Sequence, residues 1–136
     1  MNKNINIMLI DDDEDDRDLF QMALDELDTP VDFTGVENCC DALTMLENKS
    51  VCPDYIFLDL NMPQMSGREC LNNLKKSLLL TNIPVIIFST SSDPRDIRET
   101  KDLGAIDFIT KPHRTSELTT ILKNFILNQT ETSTNK

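Results

Sequence analysis

The chain has 136 residues, of which 39% are hydrophobic and 27% charged, and a formal net charge of −11. That length fits one domain around a single core, and the apolar fraction excludes a disordered chain. The acid excess repels phosphate backbones and anionic lipid, which argues against nucleic acid and membrane as partners. No apolar run approaches the roughly 20 residues of a bilayer span, and the first residues lack the apolar stretch of an export signal, so a cytoplasmic protein is expected.

The first apolar segment, Ile5 to Ile10, stops at six consecutive acids: Asp11, Asp12, Asp13, Glu14, Asp15 and Asp16. Leu19, Phe20, Ala23, Leu24 and Leu27 then recur at helical spacing. A weaker segment carries Val31, Phe33, Gly35 and Val36, and is followed by a stripe of Cys39, Ala42, Leu43 and Leu46. The third segment, Tyr55 to Leu58, ends at Asp59, and Cys70, Leu71 and Leu74 follow it. The fourth, Val85 to Phe88, ends at Ser89. The helix after it is mostly polar, with Asp93 suited to its N-cap, Pro94 to its first position and Gly104 to its stop.

The fifth segment, Ile106 to Thr110, ends at Lys111, and Leu118, Ile121, Leu122 and Phe125 mark the last helix. Segments three and four are continuous apolar runs, as expected of strands covered on both faces. A β-α unit repeated five times calls for an α/β fold with a parallel sheet, helices on both faces and right-handed crossovers. One domain is expected over residues 1–128, with a polar, fraying tail over 129–136.

Ligands of open parallel sheets bind outside the carboxyl ends of the strands. Asp11 and Asp12, Asp59, Ser89 and Lys111 each follow a different strand, so the fold brings them to one edge. Carboxylates crowded together raise one another's pKa, and a hard divalent cation such as magnesium resolves that conflict. An aspartate at a strand end can serve as nucleophile toward a phosphoryl group, with a lysine and a hydroxyl on the phosphoryl oxygens.

Other features carry less. The alternation of Asp11, Asp13 and Asp15 resembles a calcium loop, but Asp16 stands where glycine is needed and Met22 where a bidentate glutamate is needed. His113 follows a Lys-Pro turn and has no partner base, so it reads as a loop residue. Met62 and Met65 flank the Asp59 loop and suit either packing or contact with a partner. Cys39, Cys40, Cys52 and Cys70 show no C-x-x-C spacing and read as free thiols without assigned chemistry.

The motifs together resemble a known family. They are Met8-Leu9-Ile10-Asp11-Asp12, Phe57-Leu58-Asp59-Leu60-Asn61-Met62-Pro63 with Gly67, Pro84-Val85-Ile86-Ile87-Phe88-Ser89, and Phe108-Ile109-Thr110-Lys111-Pro112. From Ile5 to about Leu127 the chain is similar to the receiver domains of two-component response regulators, particularly single-domain chemotaxis-type receivers. The resemblance implies a flavodoxin-like, doubly wound sheet of five parallel strands in order 2-1-3-4-5, with five helices in a three-layer sandwich.

It also implies Asp59 as the phosphorylation site, with magnesium (manganese may substitute) held by Asp12 and Asp59, by Asp11 through water, and by the Asn61 backbone carbonyl. Ser89 would be the switch hydroxyl, Lys111 the phosphate partner, Phe108 the aromatic that moves with Ser89, and the bond before Pro112 can be cis. The triple acid leaves two registers for the metal pair, Asp11 with Asp12 or Asp12 with Asp13; the first is preferred because it directly follows the strand. Ser89 and Phe108 stand where the family often has Thr and Tyr, and Asn61 and Ser91 are neutral where it tunes phosphate lifetime.

The implied function is a stand-alone switch. A histidine kinase or phosphotransfer protein supplies the phosphoryl group, and the face of the fourth helix, fifth strand and fifth helix docks a protein partner. The alternative is an aspartate-nucleophile phosphatase with the same parts, which normally carries a second aspartate where this chain has Asn61. A degenerate receiver that binds partners without phosphorylation is a third reading.

Overall fold

Five parallel strands alternate with five helices in the computed structural model, which describes residues 4–134 and their side chains as far as Gln129. In chain order these are β1 (Ile5–Ile10), α1 (Glu14–Asp25), β2 (Val31–Val36), α2 (Cys39–Glu47), β3 (Tyr55–Leu58), α3 (Gly67–Lys76), β4 (Val85–Ser89), α4 (Pro94–Asp102), β5 (Asp107–Thr110) and α5 (Thr115–Thr134). The sheet order is β2-β1-β3-β4-β5 and every pairing is parallel, the doubly wound arrangement expected from the sequence. The segment read as a polar tail enters α5 as far as Thr134, and its last two residues lie outside the described ones.

Alternation along each strand divides the core in two. Met8, Ile10, Ile56, Leu58, Val85 and Ile87 face α2 and α3, where Ala42, Leu46, Leu71 and Leu74 meet them. Ile7, Leu9, Phe57, Ile86 and Phe88 face α1 and α5, against Phe20, Leu24, Leu118, Leu122 and Phe125. That second layer is aromatic: Phe20 stands edge-on to Phe57 and Phe88, and Phe125 to Tyr55 and Phe57, all with centroids 5.1–5.4 Å apart. Each such side chain contributes about 1.5–3 kcal/mol by burial, and the edge-on contacts add to it. The central strands are therefore the most strongly held part of the sheet, and their carboxyl ends are a firm base for a site.

The helix starts explain why the chain turns where it does. Asp13 caps α1 by accepting from the amides of Asp15 and Asp16, Asn38 caps α2 through Asp41, and Ser66 with Glu69 forms a capping box on α3. Asp93 and Pro94 open α4 as the sequence predicts, and Gly104 takes a φ of 114° just after it.

The cysteines correct the sequence reading. Cys39 and Cys70 form a disulfide between the first residue of α2 and the first turns of α3, while Cys40 and Cys52 are exposed thiols. Their sequence separation of 31 carries no local motif; it is the packing of α2 on α3 that brings their Cα atoms to 5.9 Å. Closing a loop of 31 residues removes unfolded-state entropy equivalent to about 3–4 kcal/mol. Reduction of the oxidised protein with dithiothreitol is expected to lower its stability by about 3 kcal/mol, read as a lower urea midpoint. The Cys39→Ala/Cys70→Ala variant should show no response to reductant.

Candidate functional site

The backbone ladder sets the site. The amide of Asp59 donates to the carbonyl of Ile10 at 3.0 Å, and that of Asp11 to the carbonyl of Val36 at 2.9 Å. The β1–β3 and β1–β2 pairings thus run one step past the strands and hold both aspartates at the sheet edge. Ser89 is the last residue of β4 and fully buried, and its carbonyl accepts the amide of Lys111 at 2.7 Å, which fixes the start of the β5–α5 loop. The four strand ends expected to converge do so.

Asp11 is fully buried and Asp59 almost so, with Asp12 exposed beside them. Carboxylate oxygens of Asp11, Asp12 and Asp59 all lie within 4.8 Å of one another, a spacing able to hold one cation. Asp13 is not part of this group. Its side chain is occupied in capping α1, and its amide donates to the Asp11 carboxylate at 3.0 Å. Of the two registers left open by the triple acid, the structure brings together Asp11, Asp12 and Asp59.

Lys111 Nζ sits 2.8 Å from Asp11, 2.8 Å from Asp16 and 3.7 Å from Asp59, and 5.6 Å from the centre of the Phe88 ring. Burial alone pushes its ammonium down, but hydrogen bonds to Asp11 and Asp16 outweigh that and hold it above the ordinary lysine range. Burial raises the Asp59 carboxyl to about 6; Lys111 pulls it back in part, Asp11 and Asp12 push it further up, and the Asn61 amide donates to it. Burial also raises Asp11, against its bond to Lys111. One lysine does not neutralise this pocket, so the donor set fits a divalent cation.

Sequence reasoning missed Asp16 as a partner of Lys111. The signal was present, because a helix starting at Glu14 turns its third residue back toward the strand ends. It also missed Arg17, whose guanidinium donates to the Asp11 carbonyl at 2.6 Å and braces that loop. Asn61 is exposed on the β3–α3 loop, and Met62 packs beneath it in the core. Phe108 lies on β5 opposite Ile87, half-buried against the core on the α2 and α3 side. His113 lines a cavity with Asp16 and Lys111, whereas Met65 packs against the core. The bond before Pro112 is trans, as are all described peptide bonds, so a cis bond there is not found; trans is the favoured isomer even for proline.

Gly67 is required by close approach. A Cβ at this position would lie 2.3 Å from the Asp59 carbonyl oxygen and 2.6 Å from the Leu60 Cα, both backbone atoms that cannot rotate away. The Gly67 amide donates to the Leu60 carbonyl at 2.9 Å, so α3 begins directly against the chain that carries Asp59.

The family described as response regulator receiver domain matches residues 7–123. The chain belongs to that family. Among curated relatives of this receiver, the two-component response regulator ORR13 of Oryza sativa subsp. japonica is 37% identical over 120 residues, covering 88% of this chain and 96% of that protein. Among solved structures, the phosphorylated cyanobacterial phytochrome response regulator RcpA is 34% identical, with a TM-score of 0.83 over 90% of this receiver and 91% of that chain. The Mn²⁺-bound response regulator Rcp1 is 26% identical, with a TM-score of 0.79 over 88% and 90%. Receiver domains are signalling domains that bind Mg²⁺ or Mn²⁺ in an acidic pocket and interact with histidine kinases or phosphotransfer proteins.

Two outcomes test this electrostatic picture. A carboxyl raised by folding binds protons more readily in the folded chain, so its unfavourable contribution is complete above about pH 6 and vanishes toward pH ~4. Asp59→Asn should therefore stabilise the metal-free protein by about 2–3 kcal/mol at pH ~7, with the gain shrinking to near zero at pH ~4, measured by urea unfolding with chelator across that range. Gly67→Ala should cost at least ~3 kcal/mol and weaken metal binding at the pocket, because the backbone that carries Asp59 must move; melting temperature and magnesium titration read the two effects.

Proposed function

We propose that this protein is a phosphorylation switch whose acceptor is Asp59. The observation that carries the reading is a buried Asp59 carboxylate grouped with those of Asp11 and Asp12, with the Lys111 ammonium 2.8 Å from Asp11 and 3.7 Å from Asp59 and Ser89 ending the adjacent strand. A phosphohistidine of a kinase or phosphotransfer protein is the donor. A carboxylate oxygen of Asp59 attacks phosphorus, the nitrogen–phosphorus bond breaks, and the histidine leaves with the electron pair.

Asp12 and Asp59, Asp11 through water, and the Asn61 carbonyl would hold Mg²⁺ or Mn²⁺; the similar Rcp1 has a Mn²⁺-bound form. When bound, that ion neutralises charge on the phosphoryl oxygens and the surrounding carboxylates. Lys111 gains the new dianion as a partner and loosens from Asp16. Ser89 turns its hydroxyl toward the phosphoryl group, and Phe108 repacks on β5. The surface of α4, β5 and α5 then changes affinity for a downstream protein, in the cytoplasm and without nucleic acid or membrane as ligand.

The same parts occur in aspartate-nucleophile phosphatases. Asn61 argues against turnover here, since its amide cannot act as the general acid or base an aspartate would supply. Among the described residues, the loops that follow the strands form no cap over the strand ends.

Acetyl phosphate with Mg²⁺ should add the mass of one phosphoryl group, and Asp59→Asn or chelator should abolish the gain. Lys111→Ala and Ser89→Ala should each slow it by about tenfold to a hundredfold. Steady hydrolysis of a simple phosphate ester would transfer the assignment to a phosphatase.

A further inference from the structure

The helix that would report phosphorylation is barely held by the core. Only Thr100 of α4 is buried, Ile97 is 40% exposed, and a groove separates the helix from Ala105, Ile106 and Phe108 on the β5 side. What fixes the first turn of α4 is a polar chain that starts at the switch hydroxyl. Ser89 Oγ accepts the amide of Ser91 at 3.2 Å, and Ser91 Oγ donates to Asp96 Oδ2 at 2.5 Å. The other oxygen of Asp96 takes the guanidinium of Arg68, whose Nε donates to Glu99 at 3.0 Å. Ser91 is held on two further sides, by the Asp93 amide on its Oγ and the Thr110 hydroxyl on its carbonyl.

Arg68 is the second residue of α3, directly after the glycine that packs on the Asp59 backbone. It is thus anchored to the acceptor loop at one end and grips two turns of α4 at the other. Its pKa lies above the ordinary arginine range; burial opposes this, and Asp96 and Glu99 outweigh it.

We propose that Arg68 is a positioning residue that latches α4 and the β4–α4 loop in the arrangement of the unphosphorylated protein. When Ser89 turns toward a phosphoryl group, its oxygen leaves the Ser91 amide and the loop must find a new seat. Ser91 resists because it is tied to Asp96, and Asp96 to Arg68. The latch therefore sets how readily the phosphorylated arrangement is reached, a role that rests on the Asp59 assignment above. Its strength suits a switch, because partly exposed ion pairs shift an equilibrium without freezing it.

The test compares the full-length protein with Arg68→Ala and Arg68→Lys. In hydrogen exchange without ligand, amides of residues 90–102 should exchange about three- to tenfold faster in Arg68→Ala, with partial recovery in Arg68→Lys. Raising NaCl from about 0.05 to about 0.5 M should bring the wild type toward Arg68→Ala and leave that variant unmoved. In a titration with beryllofluoride and Mg²⁺, a phosphoryl mimic on carboxylates, the midpoint followed by α4 amide shifts should fall about three- to tenfold in Arg68→Ala.

Equal exchange in wild type and Arg68→Ala at low salt overturns the latch, as does a loosening spread over α1 and α5. Faster exchange with an unchanged midpoint overturns its role in switching. A wild-type protein that does not respond to beryllofluoride defeats the Asp59 assignment instead, and the exchange comparison still decides whether Arg68 holds α4.

Discussion

The burial of two carboxylates beside one lysine, at the carboxyl ends of adjacent parallel strands, is the constraint on which the rest of the structure depends. Taking a carboxylate from water is costly unless it is paired and hydrogen-bonded. Here Lys111 is shared among Asp11, Asp16 and Asp59, and it stands nearly an ångström farther from Asp59 than from the other two. Asp59 is accordingly the least compensated of the buried acids, and its carboxyl is raised to about 6. The fold tolerates this because each central strand beneath buries a continuous apolar run in two packed layers. The cost at the edge is small against the apolar surface that the same strands remove from water.

Several features that look independent follow from holding these acids together. Asp13 leaves the pocket because α1 needs a cap at that position, and that choice fixes Asp11 and Asp12 as the acids that face Asp59. Asp16, one turn into the same helix, is left pointing at Lys111. Gly67 has no side chain because α3 begins directly against the backbone of Asp59 and Leu60. The arrangement is thus over-determined by backbone hydrogen bonds and close contacts, as a site holding uncompensated charge must be.

The parts of this design legible in the sequence are those set by local pattern. Tyr55–Leu58 and Val85–Phe88 read as buried strands because nothing polar interrupts them, and the polar residue at each end then falls at the sheet edge. Capping residues located α4 to the residue, since Asp93 and Pro94 each have one favoured place in a helix start. Contacts between helices left no such trace. Cys39 and Cys70 are joined across two helices, and Arg68 meets Asp96 and Glu99 across another pair. Neither spacing has a local period, so each becomes visible only when α3 is packed between its neighbours.

The two faces of the sheet are held by different physics, and that difference bears on where motion can occur. On the α1 and α5 side, interlocked aromatic rings fill the layer, and any shift of one ring disturbs several others. On the other side, α3 is fastened by its buried leucines and by the disulfide, whereas α4 offers the core a single buried threonine. A perturbation at Asp59 has therefore two routes outward, and only one is soft. Displacing α1 or α5 means opening an apolar layer, which costs several kilocalories per buried ring. Displacing α4 means exchanging partly exposed hydrogen bonds and ion pairs for contacts with water, which is nearly neutral. A charge placed on Asp59 would thus be read at α4 first, because that is where the structure yields at least cost.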